Sequence, residues 1–181
     1  MTTKPRATVE DLYEVQGKAE LVHGELVQLS PTGHLPNRAA GTIYVRLRDY
    51  EASSKAGLAY TDNAGFLVHL PGRRSFSPDV AFHVGPGSGG KFLEGAPVFA
   101  VEVRSEGDYG ERAEREMAAK RADYFAAGTQ VVWDVDVLRA ELIRAFRATD
   151  PENATLYRRG EIADAEPALP GFQMPVDAIF E

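Results

Sequence analysis

Glu102 is a carboxylate set inside an apolar run, VFAVEV, which spans residues 98–103. On a half-exposed strand it would be the polar member of an alternation and would face solvent. Strands rich in valine are usually covered on both faces, and a carboxylate buried there is unstable without a cationic partner. The two interpretations differ in whether another part of the chain brings a cation to this strand.

Lys120 is the candidate cation, because it lies on the apolar face of a helix that we predict over residues 110–127. That face carries Ala113, Met117, Lys120, Tyr124 and Ala127. The long stem of a lysine can pass apolar neighbours, so the ammonium could meet Glu102 if the helix packs on the sheet. An alternative stripe, Ala118, Ala122 and Phe125, would leave Lys120 at the border with solvent. We favour the first stripe, which gives the lysine a partner.

Asp79 is a second carboxylate that could reach the same place. It ends the tripeptide Ser77-Pro78-Asp79, which opens an apolar strand that could lie beside the strand of Glu102. Two carboxylates in close contact repel each other unless a cation lies between them, and Mg²⁺ suits two carboxylates with water and phosphate as further ligands. Lys120 could then orient or deprotonate the attacking water and offset charge on phosphorus. The alternative is a turn in which Asp79 is a capping group.

The composition is that of an ordinary globular protein. The chain has 181 residues, of which 44% are hydrophobic and 26% charged, so we expect a single domain over residues 1–181. The absence of cysteine excludes disulfides, thiolate metal sites and cysteine nucleophiles. No apolar stretch is typical of a signal peptide or a membrane span, which predicts a cytoplasmic protein. The net charge of −7 argues mildly against a broadly basic nucleic-acid-binding surface.

Helical and strand patterns alternate along the chain. We predict helices over residues 8–15, 37–51 and 110–127, with Thr8 and Asp11 as a capping pair for the first and Asp108 and Glu111 for the third. We predict strands in a hairpin over 19–31, in two or three pieces over 58–84, over 97–104, and in a hairpin over 130–136 and 139–146, followed by one short strand in the tail. This order predicts a mixed α/β fold with a strand–helix–strand unit.

The order of these motifs resembles the PD-(D/E)XK superfamily of restriction-endonuclease-like nucleases, and in particular its Uma-type branch of bacterial endonucleases. The segments that carry the resemblance are AELVHGELVQLSP, FSPDVAFHV, VFAVEVRSEGD, KRADYFAAGTQVVWDVD and LPGFQMPV. The resemblance implies an α/β fold with a mixed central β-sheet flanked by helices. It also implies Asp79, Glu102 and Lys120 as catalytic residues, and Mg²⁺, with Mn²⁺ as a substitute, held by Asp79, Glu102 and the carbonyl of Val103.

The chain departs from the superfamily pattern at Arg104, which stands where the usual lysine would follow Glu102 by two residues. In the Uma-type branch the lysine lies on the following helix, which fits Lys120. Arg104 could then contact phosphate instead. The resemblance also implies a further metal ligand from the first hairpin. Glu20 matches the family better, and Glu25, which simple alternation places on the opposite face, is the alternative that the sequence leaves open.

Other polar and aromatic residues have expected roles in substrate contact, in the core or at the surface. His34 matches a histidine of the family and could contact substrate phosphate, although a capping or loop role is the alternative. Arg73, beside the Asp79 strand, could bind the DNA backbone or could be an ordinary surface residue. We expect Trp133 to lie in the core, and Asp134 and Asp136 to be solvated near a hairpin turn.

The predicted function is hydrolysis of phosphodiester bonds in DNA by a Mg²⁺-dependent endonuclease, which we expect to be a homodimer because two symmetric sites cut a duplex most simply. The alternative is a non-catalytic member of the same fold that binds nucleic acid or protein. A glycoside hydrolase would use two acids but would not need a buried lysine. The residues do not distinguish DNA from RNA.

Overall fold

The computed structural model describes residues 6–181 and is built around one six-stranded mixed sheet. In chain order the elements are α1 (Val9–Tyr13), β1 (Ala19–Val22), β2 (Glu25–Gln28), α2 (His34–Ser54), β3 (Leu58–Tyr60), β4 (Phe66–Leu67), β5 (Ser75–Phe76), β6 (Val80–His83), β7 (Leu93–Glu94), β8 (Phe99–Val103), α3 (Glu111–Ala126), β9 (Val131–Asp136), β10 (Leu142–Arg147), β11 (Asp150–Arg158), β12 (Ile162–Asp164), β13 (Gln173–Pro175) and a 3₁₀ helix (Val176–Phe180).

The central sheet has the strand order β11-β10-β9-β8-β6-β3. β8 and β9 are parallel and are joined by α3, which confirms the predicted strand–helix–strand unit. The other neighbouring strands are antiparallel. Two hairpins, β1-β2 and β12-β13, and a small sheet of order β5-β4-β7 surround this centre.

Both faces of the central sheet are covered. On β8, Phe99, Val101 and Val103 pack in a core with residues of α2 and of the C-terminal segment. Ala100, on the opposite face, packs with Tyr124 of α3 and with residues of the small sheet. Glu102 shares the face of Ala100 because side chains alternate along a strand. The interpretation of Glu102 as the polar residue of a half-exposed strand is therefore wrong.

The sheet-facing side of α3 is the predicted stripe that contains Lys120. Tyr124 on this stripe is fully buried, and Met117 and Lys120 are partly buried. The alternative stripe faces out, since Ala118 and Ala122 are exposed. The helix therefore turns its lysine toward the sheet.

The bounds of α1, which is shorter than the predicted 8–15, and of α2, and the cap of α3, differ from the predictions. α1 has the predicted capping box between Thr8 and Asp11. α2 begins at His34 rather than near residue 37, since proline is tolerated in a first helical turn. α3 begins after Gly110 without a side-chain cap, because the Asp108 carboxylate accepts the N–H of Ser105 (2.6 Å) instead.

The C-terminal region contains more structure than the single short strand that we predicted. β11 pairs along β10 at the edge of the central sheet, where its largely exposed side chains give little hydrophobic signal. β12, β13 and the 3₁₀ helix follow, and their buried residues complete the core on the α2 side. Within residues 6–181, no helix combines the length and the apolar character needed to cross a membrane.

Arg104 joins α3 to the sheet and is only 4% exposed. Its Nε and Nη2 donate to both carboxylate oxygens of Asp134 (2.7 and 2.6 Å), and its Nη2 also donates to Glu114 of α3 (3.0 Å). The expectation that Asp134 and Asp136 are solvated is wrong, since both are buried and Asp136 accepts the hydroxyl of Tyr109 (2.8 Å). An Arg104 with these contacts is a structural anchor and not an exposed phosphate ligand.

Replacing Arg104 with alanine should destabilise the fold. The substitution leaves the Asp134 carboxylate buried without its cation, so we expect a loss of about 3–5 kcal/mol in the free energy of unfolding, measured with urea. Arg112→Ala is the control, because Arg112 is 87% exposed and its pair with Glu116 lies in solvent, so no measurable change is expected. Equal stability of Arg104→Ala and the wild type would contradict the anchoring role.

Candidate active site

Asp79 and Glu102 lie on neighbouring strands at one point of the central sheet. The backbone N–H of Asp79 donates to the carbonyl of Val101 (3.1 Å), which continues the pairing of β6 with β8. The carboxylate of Asp79 accepts the N–H of Val103 (2.8 Å) through Oδ2. These two bonds flank Glu102 on β8 and fix Asp79 beside it, as the sequence predicts.

Lys120 reaches this point from α3. Its Nζ lies 2.8 Å from Oε1 of Glu102 and 2.9 Å from Oε1 of Glu20, and its side chain is 19% exposed. Tyr124, one helical turn further along, donates its hydroxyl to Oε1 of Glu102 (2.6 Å). The predicted cation for Glu102 is therefore Lys120, and a buried tyrosine supports the same carboxylate.

Glu20 is the hairpin glutamate at this site. It is 4% exposed on β1, whereas Glu25 on β2 is exposed. Besides Lys120, its carboxylate accepts the N–H of Ser77 (2.9 Å) and Nη1 of Arg73 (2.6 Å). The two-residue turn pairs Val22 with Glu25, so Glu20 and Glu25 lie on the same face of the hairpin and not on opposite faces as simple alternation predicts. Of the two, Glu20 is the one that binds Lys120.

Arg73 is buried, so the expectation of an exposed, DNA-binding arginine does not match its position. The residue is 6% exposed. In addition to the bond to Glu20, its Nε donates to Asp123 of α3 (2.8 Å), and its guanidinium lies over the ring of Phe76 (4.9 Å to the centroid). Arg73 links the first hairpin to α3 and holds Glu20 in place.

The charges at the site act strongly on one another. Burial raises the pKa of Glu102, and Asp79 and Glu20 raise it further, although Lys120 opposes this. Burial alone would lower the pKa of Lys120, but Glu102 and Glu20 outweigh it, so the pKa of the lysine is raised. The stable form of Lys120 beside these carboxylates is the ammonium, which is a hydrogen-bond donor and not a base.

Lys18 is a second cation at the site, and sequence reasoning missed it. Its Nζ lies 2.8 Å from Oδ1 of Asp79 and 2.6 Å from Oδ1 of Asp62. Burial opposes the charge of Lys18, but Asp79 and then Glu102 outweigh it, so the pKa of Lys18 is raised. Lys18 could have been found from its position two residues before Glu20, because side chains two residues apart on an extended chain point to the same side.

His34 lies apart from this group at the start of α2. The residue is exposed, and Gly33 before it provides no side-chain cap. The capping alternative for His34 is therefore not observed. No hydrogen bond or ion pair joins His34 to Asp79, Glu102 or Lys120 within the part of the chain that the structure describes.

The donor set fits a hard divalent cation. Asp79 and Glu102 supply carboxylate oxygens from adjacent strands, and the carbonyl of Val103 is a third candidate oxygen, which matches the preference of Mg²⁺ for a few protein oxygens with waters as the remaining ligands. Across residues 6–181, no cluster of three or more His, Asp or Glu side chains is arranged around a common metal position. Glu20 is less suited to be a ligand, since its oxygens already accept three donors.

Comparisons with known proteins agree with this architecture. A crystal structure described as that of "a putative nuclease belonging to DUF820" from Anabaena variabilis ATCC 29413 matches with a TM-score of 0.75 and 12% sequence identity, over 96% of this chain and 97% of that one. No curated protein matches the chain. The similarity shows a common fold, a mixed sheet with helices, which confirms the predicted fold class.

The sequence also matches the model of a protein family. The model described as "Uma2: Putative restriction endonuclease" matches residues 7–177, which is nearly the whole chain. The match includes the hairpin of Glu20, the strands of Asp79 and Glu102, and the helix of Lys120. The chain therefore belongs to the Uma2 family of restriction-endonuclease-like proteins.

Proposed function

We propose that this protein is a Mg²⁺-dependent endonuclease that hydrolyses phosphodiester bonds in DNA, with Mn²⁺ able to replace Mg²⁺. The observation that carries the proposal is the ammonium of Lys120, 2.8 Å from Glu102 on a strand that also anchors Asp79. Two carboxylates on adjacent strands beside a buried lysine are what metal-assisted phosphodiester hydrolysis requires: oxygen ligands for a cation, and a donor for the reacting groups.

Each residue of the site has a role in this proposal. Asp79, Glu102 and the carbonyl of Val103 would hold the ion. Bound Mg²⁺ supplies Lewis-acid activation of the phosphate and of the attacking water. Lys120 has one N–H beyond those directed at Glu102 and Glu20, and it would donate this N–H to the water, while its positive charge offsets the charge that builds on the phosphate oxygen. The water releases a proton to solvent and its oxygen bonds to phosphorus, the bond from phosphorus to the leaving oxygen breaks, and the leaving oxygen takes a proton from solvent.

Glu20 supports the lysine in this scheme and does not need to contact the ion. It binds Lys120 together with Glu102, and Arg73 and the N–H of Ser77 fix its orientation. A lysine restrained by two carboxylates loses little conformational freedom when substrate binds, which preserves its geometry for the transition state. This chain of contacts explains why so many charges are buried at one place.

Substrate contact is assigned to a smaller set of residues than the sequence suggested. Arg73 and Arg104 are occupied by buried carboxylates, so we do not give them a phosphate-binding role. His34 is exposed at the start of α2 and remains our candidate for contact with substrate phosphate.

The direct test of the function is a cleavage assay. Purified protein is incubated with single-stranded, duplex and branched DNA in Mg²⁺, in Mn²⁺ and with a chelator. We expect cleavage of DNA in either metal and none with the chelator. A protein that binds DNA but cuts none of these substrates would support the non-catalytic alternative.

Metal binding should depend on both carboxylates. Asp79→Ala and Glu102→Ala each remove a proposed ligand, so we expect each to weaken Mn²⁺ binding by about tenfold or more in isothermal titration calorimetry. Glu25→Ala is the control, because Glu25 is exposed on β2, and it should bind Mn²⁺ as the wild type does. If both site variants bind Mn²⁺ with wild-type affinity, Asp79 and Glu102 are not ligands of the ion.

Lys120 should be needed for catalysis and not for metal binding. Lys120→Met keeps the apolar stem but loses the donor, so we expect single-turnover cleavage to fall by about a hundredfold or more. Mn²⁺ affinity should not decrease, because the substitution removes a positive charge near the ion. Lys91→Met, at an exposed lysine of the connection between β6 and β7, should cleave normally. A Lys120→Met protein that is folded and cuts at the wild-type rate would show that the reacting groups do not use this lysine.

We also propose a homodimer, since one site on each of two symmetric subunits is the simplest way to cut both strands of a duplex. Light scattering at micromolar concentration should give twice the mass of the 19.7 kDa chain. A monomer that makes double-strand breaks under the same conditions would contradict this assembly.

A further inference from the structure

Lys18 connects a candidate metal ligand to a carboxylate outside the predicted site. Its Nζ lies 2.8 Å from Oδ1 of Asp79 and 2.6 Å from Oδ1 of Asp62. The side chains of Lys18 and Asp79 are 14% and 13% exposed, whereas that of Asp62 is 42% exposed. The lysine therefore has one partner inside the site and one at its rim.

The carboxylate of Asp62 is oriented toward Lys18 by its own turn. It lies in the turn between β3 and β4, and its Oδ1 accepts the N–H of Asn63 (2.9 Å). The carboxylate is thus oriented by its own turn as well as by Lys18. A lysine that released Asp79 would keep a charged hydrogen bond without having to find a new partner.

The ammonium and a divalent cation would use the same oxygen of Asp79. A Mg²⁺ ion binds a carboxylate oxygen at about 2.1 Å, so an ammonium on that oxygen would lie only a few ångström from the ion. Two cations at such a distance in a partly buried place repel strongly. The N–H of Val103 donates to the other oxygen of Asp79. This bond limits rotation of the carboxylate, so Asp79 cannot easily turn to separate the two cations.

We propose that Lys18 is a positioning residue that competes with the divalent cation for Asp79, and that Asp62, which already binds its ammonium, keeps it when the ion displaces the lysine from Asp79. This inference rests on the proposed function, because it takes Asp79 as a metal ligand. In the absence of the ion, Lys18 balances the negative charge of Asp79. When the ion binds, Lys18 loses its bond to Asp79 but keeps its bond to Asp62, which lowers the energetic cost of binding the ion. The pair thereby sets the metal concentration at which the site fills.

The proposal predicts opposite effects for the two partners. Lys18→Met removes the competing charge and should tighten Mn²⁺ binding by about tenfold or more. Asp62→Asn removes the charge that draws Lys18 away from Asp79 and should weaken Mn²⁺ binding severalfold. A structural role for the Lys18–Asp62 pair would instead move both variants in the same direction.

The experiment is calorimetric titration of the full chain with Mn²⁺ after treatment with a chelator. Lys18→Gln is a second neutral variant, which retains a hydrogen-bonding side chain, and it should also bind Mn²⁺ more tightly than the wild type. Lys91→Met is the matched control for loss of a lysine charge at an exposed position, and it should leave the affinity unchanged. The rise in thermal unfolding temperature on adding Mn²⁺ is the second readout and should follow the same order.

The outcomes separate this inference from the proposed function. Tighter binding in both Lys18 variants with weaker binding in Asp62→Asn supports the competition. If the wild type binds Mn²⁺ and Asp79→Ala does not, but the folded Lys18 variants match the wild type, the competition is wrong and the metal site stands. If neither the wild type nor the Lys18 variants bind Mn²⁺, the metal site and the competition both fail.

Discussion

Lys120 carries an ammonium group on a covered face of the sheet, where a charge is stable only if carboxylates compensate for the lost hydration. Glu102 and Glu20 do this, and each needs its own support: Tyr124 for Glu102, and Arg73 with the Ser77 N–H for Glu20. The first hairpin, the central sheet and α3 thus meet at one lysine. The position of each element relative to the others depends on this interaction.

A second charged contact fixes the start of the helix that carries Lys120. Arg104 follows β8 directly and binds Asp134 of β9 and Glu114 of α3, so the first turns of the helix are tied to the parallel strand pair. The superfamily pattern has a lysine at the position of Arg104. In this chain the strand cation serves architecture and the helix cation faces the candidate metal ligands, a division that suits the planar guanidinium and the compact ammonium respectively.

The periodicity of the sequence was sufficient to predict the strand–helix–strand unit and the meeting of Glu102 with Lys120, because both follow from spacing within neighbouring elements. It was not sufficient to predict the burial of Arg73, because its partners Glu20 and Asp123 are distant in sequence. The segment PGRR, which contains Arg73, also has the pattern of an exposed turn. The burial of Asp134 depends in the same way on Arg104. Lys18 was missed because its partners, Asp62 and Asp79, belong to a turn and a strand start that no local pattern brings together.

The central claim is that Asp79 and Glu102 form a divalent-cation site beside Lys120, and anomalous diffraction from crystals grown with Mn²⁺ tests it most directly. We expect a manganese peak between the carboxylates of Asp79 and Glu102, within about 2.0–2.4 Å of an oxygen from each. The ammonium of Lys120 should be close to the ion but outside its ligand shell. Ordered manganese elsewhere on the chain and none between Asp79 and Glu102 would contradict the claim.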